Sequence, residues 1–316
     1  MSSSGTVLVT GATGLIGSAL VRHYSARGRP VVAAVRNVAR ANEMFSDLPC
    51  VRCASWNAPE AFEDGEDVWA VIHAASPTSG RFFSEHPAET EAIIRDGTRR
   101  MLEHAVRRHA ERFVFLSSME AYGSPESDVP LRETDGYHGD LTASRSSYAR
   151  GKLAAERLCA KWAAEFGLAA MSVRLAQTFG ARVSPSEPRV FAQFLRSALA
   201  GEAIRLSTAG TSERMCLETE DAVRAIDAVL NRGAAGEVYN AANPETYCSL
   251  AEMARLVAER FGASGVKIGR DDDPANACYP PPCHLRMDVS KLFALGWRPR
   301  CGLAEMFDRM AEGWRR

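Results

Sequence analysis

The chain has 316 residues, of which 46% are hydrophobic, and its 38 Lys and Arg against 39 Asp and Glu leave a formal net charge of −1. That length favours roughly two domains, and the apolar fraction supplies a substantial core, which excludes a disordered chain. Near-neutral charge removes the electrostatic reason to expect nucleic acid or an anionic membrane as partner, and no apolar run reaches the length of a membrane span.

The first residues, Met1 to Gly5, carry neither the basic nor the apolar region of a secretory leader, so the cytoplasm is the expected compartment. Thr6-Val-Leu-Val-Thr10 predicts a buried strand that runs into Gly11-Ala-Thr-Gly14-Leu-Ile-Gly17 and then a helix over 15–27. Strand, glycine turn and helix in that order suit a dinucleotide. Gly11 permits the tight turn, Gly14 lets a pyrophosphate approach the backbone, and Gly17 lets helix and strand pack closely. The helix N-terminus then faces the phosphates, and Thr13, Leu15 and Ile16 belong to the same binding turn. The spacing is GxxGxxG, not the GxGxxG of most dinucleotide folds.

The next strand, near 31–35, ends on Arg36-Asn37, where an NAD-preferring chain places an acid for the ribose 2′-hydroxyl. A guanidinium binds a 2′-phosphate instead, so NADP is favoured slightly over NAD. The alternative keeps NAD and leaves Arg36 in solvent or stacked on adenine. Helix-like runs near 38–46, 88–110 and 145–167 alternate with strands near 50–54, 68–73, 112–117 and 170–175. That alternation predicts an α/β fold, a doubly wound parallel sheet of the Rossmann kind.

Beyond Gly180 the pattern loosens into helices near 188–201, 219–232, 249–262 and 303–314 and short strands near 203–206 and 236–240. Residues 1–180 are therefore expected to form the NAD(P)-binding domain and 181–316 a smaller α/β substrate lobe, with about 215–240 returning to the first domain. Composition makes 269–283, with Asp271–Asp273 and Pro280–Pro282, a loop over the site or on the plain surface. The eight cysteines are scattered in a chain without a leader, so reduced thiols are expected. Cys50 and Cys53 have CxxC spacing, but no second pair has the spacing of a zinc knuckle, and no metal is expected.

Tyr148-Ala-Arg-Gly-Lys152 carries the chemistry. Tyrosine and lysine four apart share one helix face, where the cation lowers the phenol's pKa. Such a tyrosine removes a proton from an alcohol as hydride leaves its carbon. Ser117-Ser118-Met119-Glu120 adds hydroxyls and a carboxylate.

Taken together, the glycine turn, Val71-Ile-His-Ala-Ala75, Phe115 to Gly123, Tyr148 with Lys152, and Leu295-Gly-Trp-Arg-Pro299 resemble the extended short-chain dehydrogenase/reductases. The resemblance is to their NAD-dependent epimerase/dehydratase family, which remodels nucleotide sugars, and it covers nearly the whole chain. It implies Ser118, Tyr148 and Lys152 as catalytic, with Ala74, Ala75 and Ser117 beside the cofactor. Asn57 takes the place of an adenine-contacting aspartate. It also implies transient C4 oxidation and a homodimer through the helices over 91–109 and 146–166.

Glu120 narrows the reaction. The family's 4,6-dehydratases carry Asp-Glu where this chain has Met119-Glu120, and a thioether donates no proton to a departing C6 hydroxyl. The uronate decarboxylases keep the glutamate without the aspartate, and their leaving carboxylate needs no acid. The 4-epimerases usually lack the glutamate, which weighs mildly against simple epimerisation, so the expected reaction is decarboxylase-like or epimerase-like. Gln177 replaces a substrate-touching asparagine, Arg214 matches an arginine that meets the nucleotide diphosphate, and Arg286 matches a late arginine that contacts phosphate or sugar. Two converging guanidiniums suit that role because each donates paired hydrogen bonds. Ile94 replaces an asparagine that precedes x-x-Gly-Thr. An NADPH-dependent carbonyl reductase and a non-catalytic NAD(P) sensor remain as alternatives.

Overall fold

The computed structural model describes residues 5–57, 67–269 and 282–315. The predicted 269–283 loop lies almost wholly outside the described residues. From the N-terminus run β1 (Thr6–Thr10), α1 (Leu15–Ser25), β2 (Val31–Val35), α2 (Val38–Met44) and β3 (Val51–Ser55). Then come β4 (Val68–His73), α3 (Gly80–Glu85), α4 (Pro87–Arg107), β5 (Arg112–Ser118), α5 (Ser147–Phe166) and β6 (Ala169–Leu175). The later part holds β7 (Gln177–Phe179), α6 (Val190–Leu199), β8 (Ile204–Leu206), β9 (Glu213–Glu218), α7 (Thr219–Arg232) and β10 (Val238–Ala241). It ends with β11 (Asn243–Ser249), α8 (Leu250–Phe261), β12 (Val266–Ile268), β13 (His284–Leu285), α9 (Ser290–Ala294) and α10 (Leu303–Arg315).

Among the described residues the main sheet has seven strands in the order β3-β2-β1-β4-β5-β6-β10, all parallel. Helices cover both faces, so its strands are apolar at successive positions; β1 and β2 are buried at every residue. Alternation still sorts the side chains. Val7, Val9, Val114 and Leu116 face a core shared with α1, α2 and α7, whereas Leu8, Phe113 and Phe115 face one shared with α4 and α5. The architecture is a Rossmann-like doubly wound sheet. Strand order reverses between β1 and β4, which opens the binding crevice at their carboxyl ends.

A second core lies outside the sheet. Phe191, Phe194 and Leu195 of α6 meet Met253 and Val257 of α8 and Met306, Phe307 and Met310 of α10. Phe179 joins them, stacked on Phe191 at 4.4 Å between ring centroids. Small sheets frame this lobe, β9 pairing with β7, β11 and β13, and β8 with β12. Helix α8 opens on a capping box, in which Ser249 and Glu252 satisfy each other's backbone N–H groups.

The long apolar elements fall where periodicity places them, and short ones escape it. Strands β7, β9 and β11–β13 and helices α3 and α9 follow no regular period, because each is held by neighbours from elsewhere in the chain. Helix α4, expected to reach 110, stops at Arg107, where His109 adopts a left-handed φ of 52°.

Beneath the crevice a buried ion pair ties strands and helix together. Arg174 of β6 donates to both Glu156 carboxylate oxygens of α5, at 2.9 and 2.7 Å, and its guanidinium lies 4.5 Å from the Tyr122 ring centroid. Fork geometry of this kind fixes the relative position of its elements. Ser117 of β5 adds its hydroxyl to the same glutamate at 2.5 Å.

Candidate active site

The glycine turn is built for close approach. Gly11 has φ of 63°, and a Cβ there would lie 2.8 Å from Ala75 N; a Cβ on Gly17 would lie 2.1 Å from Gly11 O. Only bare backbone fits between β1, α1 and the segment after β4. Gly14 caps α1 without any side-chain hydrogen bond and is exposed, with Thr13, Leu15 and Ile16 half-buried beside it. This cradle fits a dinucleotide pyrophosphate at a helix N-terminus. Ala74 and Ala75 are half-buried across from it, and Arg36 and Asn57 are exposed just past β2 and β3.

His73 stiffens the rim. Ala75 N–H donates to Thr10 Oγ1 at 3.1 Å, and the same hydroxyl is hydrogen-bonded to His73 Nδ1 at 2.7 Å, which ties the ends of β1 and β4 together. The ring stacks on Trp56 at 5.8 Å, and Trp56 carries the Arg100 guanidinium at 4.2 Å. Burial, then the Lys152 and Arg100 charges, lower the His73 pKa from 6.5 to about 3. An unfolded chain therefore takes up a proton near pH 6.5 that the folded chain refuses until about pH 3, and stability falls as pH drops through that window. At its full extent the loss is on the order of 5 kcal/mol. His73→Gln should flatten the decline in urea midpoint between neutral and mildly acidic pH, and an unchanged slope would refute the assignment to His73.

Strand β5 delivers Ser118 to the crevice, and a 3₁₀ turn over Met119–Tyr122 follows at once, with Ser118 Oγ accepting from Glu120 N at 3.2 Å. Helix α5 presents Tyr148 and Lys152 toward the same place. The Tyr148 ring stacks on Phe83 at 4.4 Å, and Lys152 Nζ lies 5.3 Å from the Tyr148 centroid and 4.7 Å from that of Phe115. Lys152 is buried and donates to Leu116 O at 2.6 Å. Burial lowers its pKa to about 7, against the raising influence of Glu156 and Glu120.

The phenol departs from expectation. Burial raises the Tyr148 pKa, the Glu120 charge raises it further, and the hydroxyls of Ser118 and Ser76 lower it; desolvation outweighs them. The lowering expected from Lys152 does not govern this arrangement, because loss of hydration around the phenol is the larger effect.

Glu120 reaches water, yet protein encloses it on most sides. That enclosure raises its pKa, against four cations, Arg145, Arg214, Lys152 and Arg189. Arg145 and Arg189 were not foreseen as site residues. Arg145 lies one turn before Tyr148, a helical spacing that was there to be read, whereas Arg189 arrives from the start of α6 with no local signal. Gln177 Oε1 and Arg214 Nε are buried without hydrogen-bond partners among the described residues.

Two expectations change. Ser117 was placed beside the cofactor, but β alternation sends its hydroxyl inward to Glu156 while Ser118 faces the crevice. Arg214 and Arg286 do not converge. Arg286 pairs with Asp128 at 3.3 Å and lies over the Tyr247 ring at 5.5 Å. Tyr247 in turn donates toward Asp128 and Glu213, and His284 meets Glu213 at 2.7 Å. His284 sits opposite Glu213 and Leu285 opposite Arg214 in the β9–β13 register, so Arg286 follows the Glu213 side and Arg214 the other. Gly151 is crowded by Ile94, whose side chain would lie 3.0 Å from an added Cβ, so the residue that replaces the family asparagine is packing.

The seven described cysteines are all free thiols. No helix among the described residues is long and apolar enough to cross a membrane.

Residues 7–242 match the family model of the NAD dependent epimerase/dehydratase family. The chain is 28% identical over 255 residues to UDP-glucuronic acid decarboxylase 1 of Xenopus tropicalis; the match takes in 79% of this chain and 58% of that protein, so the chain spans little more than half of its relative's length. Among solved structures it is similar to UDP-glucose 4-epimerase of Thermotoga maritima, with 25% identity, a TM-score of 0.82 and 98% of each chain covered. It is also similar to MoeE5 solved with UDP-glucuronic acid and NAD, with 27% identity, a TM-score of 0.78 and 98% and 99% coverage.

Proposed function

This chain belongs to the NAD-dependent epimerase/dehydratase family, and we propose that within it the protein oxidises a nucleoside-diphosphate hexuronate at C4 and decarboxylates it. The observation that carries this reading is Glu120, set among Arg145, Arg189, Arg214 and Lys152. A neutral hexose gives three arginines no charge to meet beyond the diphosphate, whereas a C6 carboxylate does. The relative named UDP-glucuronic acid decarboxylase points the same way, and MoeE5 was solved with UDP-glucuronic acid as well as with UDP-glucose.

Hydride transfer from C4 and back is the chemistry that a bound nicotinamide dinucleotide supplies. Tyr148, as phenolate, takes the proton of the C4 hydroxyl, with Ser118 hydrogen-bonded to the same oxygen. Lys152 favours the phenolate by its charge. Once C4 is a ketone, the C6 carboxylate is that of a β-keto acid, and the C5–C6 bond breaks with its electron pair passing to the C4 oxygen. Carbon dioxide leaves, and Glu120, its pKa raised by enclosure, is the group placed to return a proton to C5. Arg214 holds the substrate's anionic groups, and Gln177 offers an amide to the sugar.

NADP remains slightly favoured over NAD, on Arg36. The enzyme is read as cytoplasmic and as a homodimer through α4 and α5, whose Ile93 and Phe166 are 45% and 54% exposed.

The test is a panel of UDP-, dTDP-, GDP- and CDP-sugars, each neutral or with a C6 carboxylate, followed by NMR and cofactor absorbance. Decarboxylation predicts a nucleotide pentose with no net cofactor consumption, from a hexuronate alone. A C4 epimer retaining its carboxylate refutes the decarboxylase reading in favour of the epimerase one. Stoichiometric loss of NADPH with a ketone marks the second reading, a carbonyl reductase, which Arg36 favours. Dinucleotide binding with every sugar unchanged marks a sensor.

A further inference from the structure

A cavity of about 370 Å³ opens beside the glycine turn, between α1, α2 and the loop that leads to α6, and Thr13, Gly14, Arg22, Arg40, Arg182 and Glu187 line it. Its charges do not cancel. Arg22 is spent on Asp47 at 2.9 Å and on Met44 O at 2.8 Å, and Glu187 on Arg189 at 2.8 Å. The side chains of Arg40 and Arg182 make no hydrogen bond or ion pair among the described residues; Arg182 feels the charge of Asp47, which already holds Arg22. Two solvent-exposed guanidiniums with no hydrogen bond or ion pair among the described residues therefore line a cavity whose third wall is the N-terminal turn of an eleven-residue helix.

The position of Arg40 gives this charge a meaning. Strand β2 ends at Val35, Arg36 follows, Asn37 caps α2 by accepting from Arg40 N at 3.0 Å, and Arg40 lies in the first turn of that helix. In a doubly wound fold the end of the second strand meets the adenosine ribose, and an acid there binds a free 2′-hydroxyl. Here the segment from 36 to 40 offers two arginines and no acid.

We propose that the cavity is a phosphomonoester subsite that takes the adenosine 2′-phosphate of NADP(H), with Arg40 from α2 and Arg182 from the lobe as its ligands beside Arg36. A dianionic phosphate compensates both guanidiniums and is recognised by paired N–H donors, which a hydroxyl is not. Because Arg182 comes from the loop after β7, a 2′-phosphate also ties the lobe to the dinucleotide domain. The proposal rests on the reading of the glycine turn as a dinucleotide site, and it does not depend on which sugar is turned over.

The test measures dissociation constants of the whole protein for NADPH and NADH by fluorescence, and for NADH with added inorganic phosphate. Wild type should bind NADPH at least about tenfold more tightly than NADH, a margin typical of one charge-assisted contact set. Arg40→Ala and Arg182→Ala should each remove most of that margin while leaving NADH binding as it was. Equal or tighter binding of NADH by wild type overturns the proposal, and so does a parallel loss for both dinucleotides in the variants. Inorganic phosphate that tightens NADH binding through the same arginines, with no NADPH margin, marks a free-anion site and also overturns it. If neither dinucleotide binds, the reading of the glycine turn fails as well; if NADH alone binds, only the 2′-phosphate assignment fails.

Discussion

Tyr148→Phe should lower turnover about 10²- to 10⁴-fold, the range carried by a positioned general base, while dinucleotide affinity stays within about twofold of wild type. The substitution removes one oxygen and keeps the ring that stacks on Phe83, so packing survives and only the proton transfer is lost. The contribution is large because the phenol's pKa is raised in this cleft, so forming the phenolate is the demanding step and Lys152, Ser118 and Ser76 are arranged around it. Single-turnover kinetics with the substrate found by the panel, beside fluorescence titration of the dinucleotide, separates the two effects. Turnover near the wild-type level would remove the tyrosine from the mechanism, and a parallel loss of dinucleotide binding would make its role structural.

Gly17→Ala should cost dinucleotide affinity at least about 100-fold, since a backbone displacement of a few tenths of an ångström at a pyrophosphate cradle breaks several charge-assisted hydrogen bonds together. The methyl group would lie 2.1 Å from Gly11 O, a backbone atom that cannot rotate away. Either α1 lifts from β1 or the Gly11 turn opens, and both move the N–H groups that face phosphate. Gly97→Ala is the control, because its methyl would meet only Trp56 at 3.8 Å, an ordinary contact. Circular dichroism establishes that both variants are folded, and titration with each dinucleotide reads the effect. Equal affinities for the two variants would show that the turn does not hold phosphate.

The placement of Ser118, Tyr148 and Lys152 was legible because local spacing encodes it. Tyr148 and Lys152 share a face on any helix, and Ser118 stands at the end of an apolar run whose burial on both sides identifies a central strand. The environment of Glu120 was not legible. Arg145 and Arg214 come from the α5 approach and from β9, and Arg189 from the start of α6. No periodicity relates four segments that meet only after the lobe has folded over the sheet. Arg286 shows the same limit in reverse, since a motif-like position placed it at the substrate's phosphate or sugar and the β9–β13 register turned it toward Asp128.

The sequence by itself determined the alternation of strands and helices, the glycine turn, the spacing of Ser118, Tyr148 and Lys152 and the family to which the chain belongs, because each is a pattern within a few turns or one strand of chain. Tertiary structure decided the rest: that Ser117 supports Glu156 while Ser118 faces the crevice, that burial outweighs Lys152 in setting the Tyr148 phenol, and that Arg40 and Arg182, without an ion pair among the described residues, share one cavity. Burial and net local charge belong to the space around a group. That space is filled by residues whose distance along the chain carries no information about their distance in the fold.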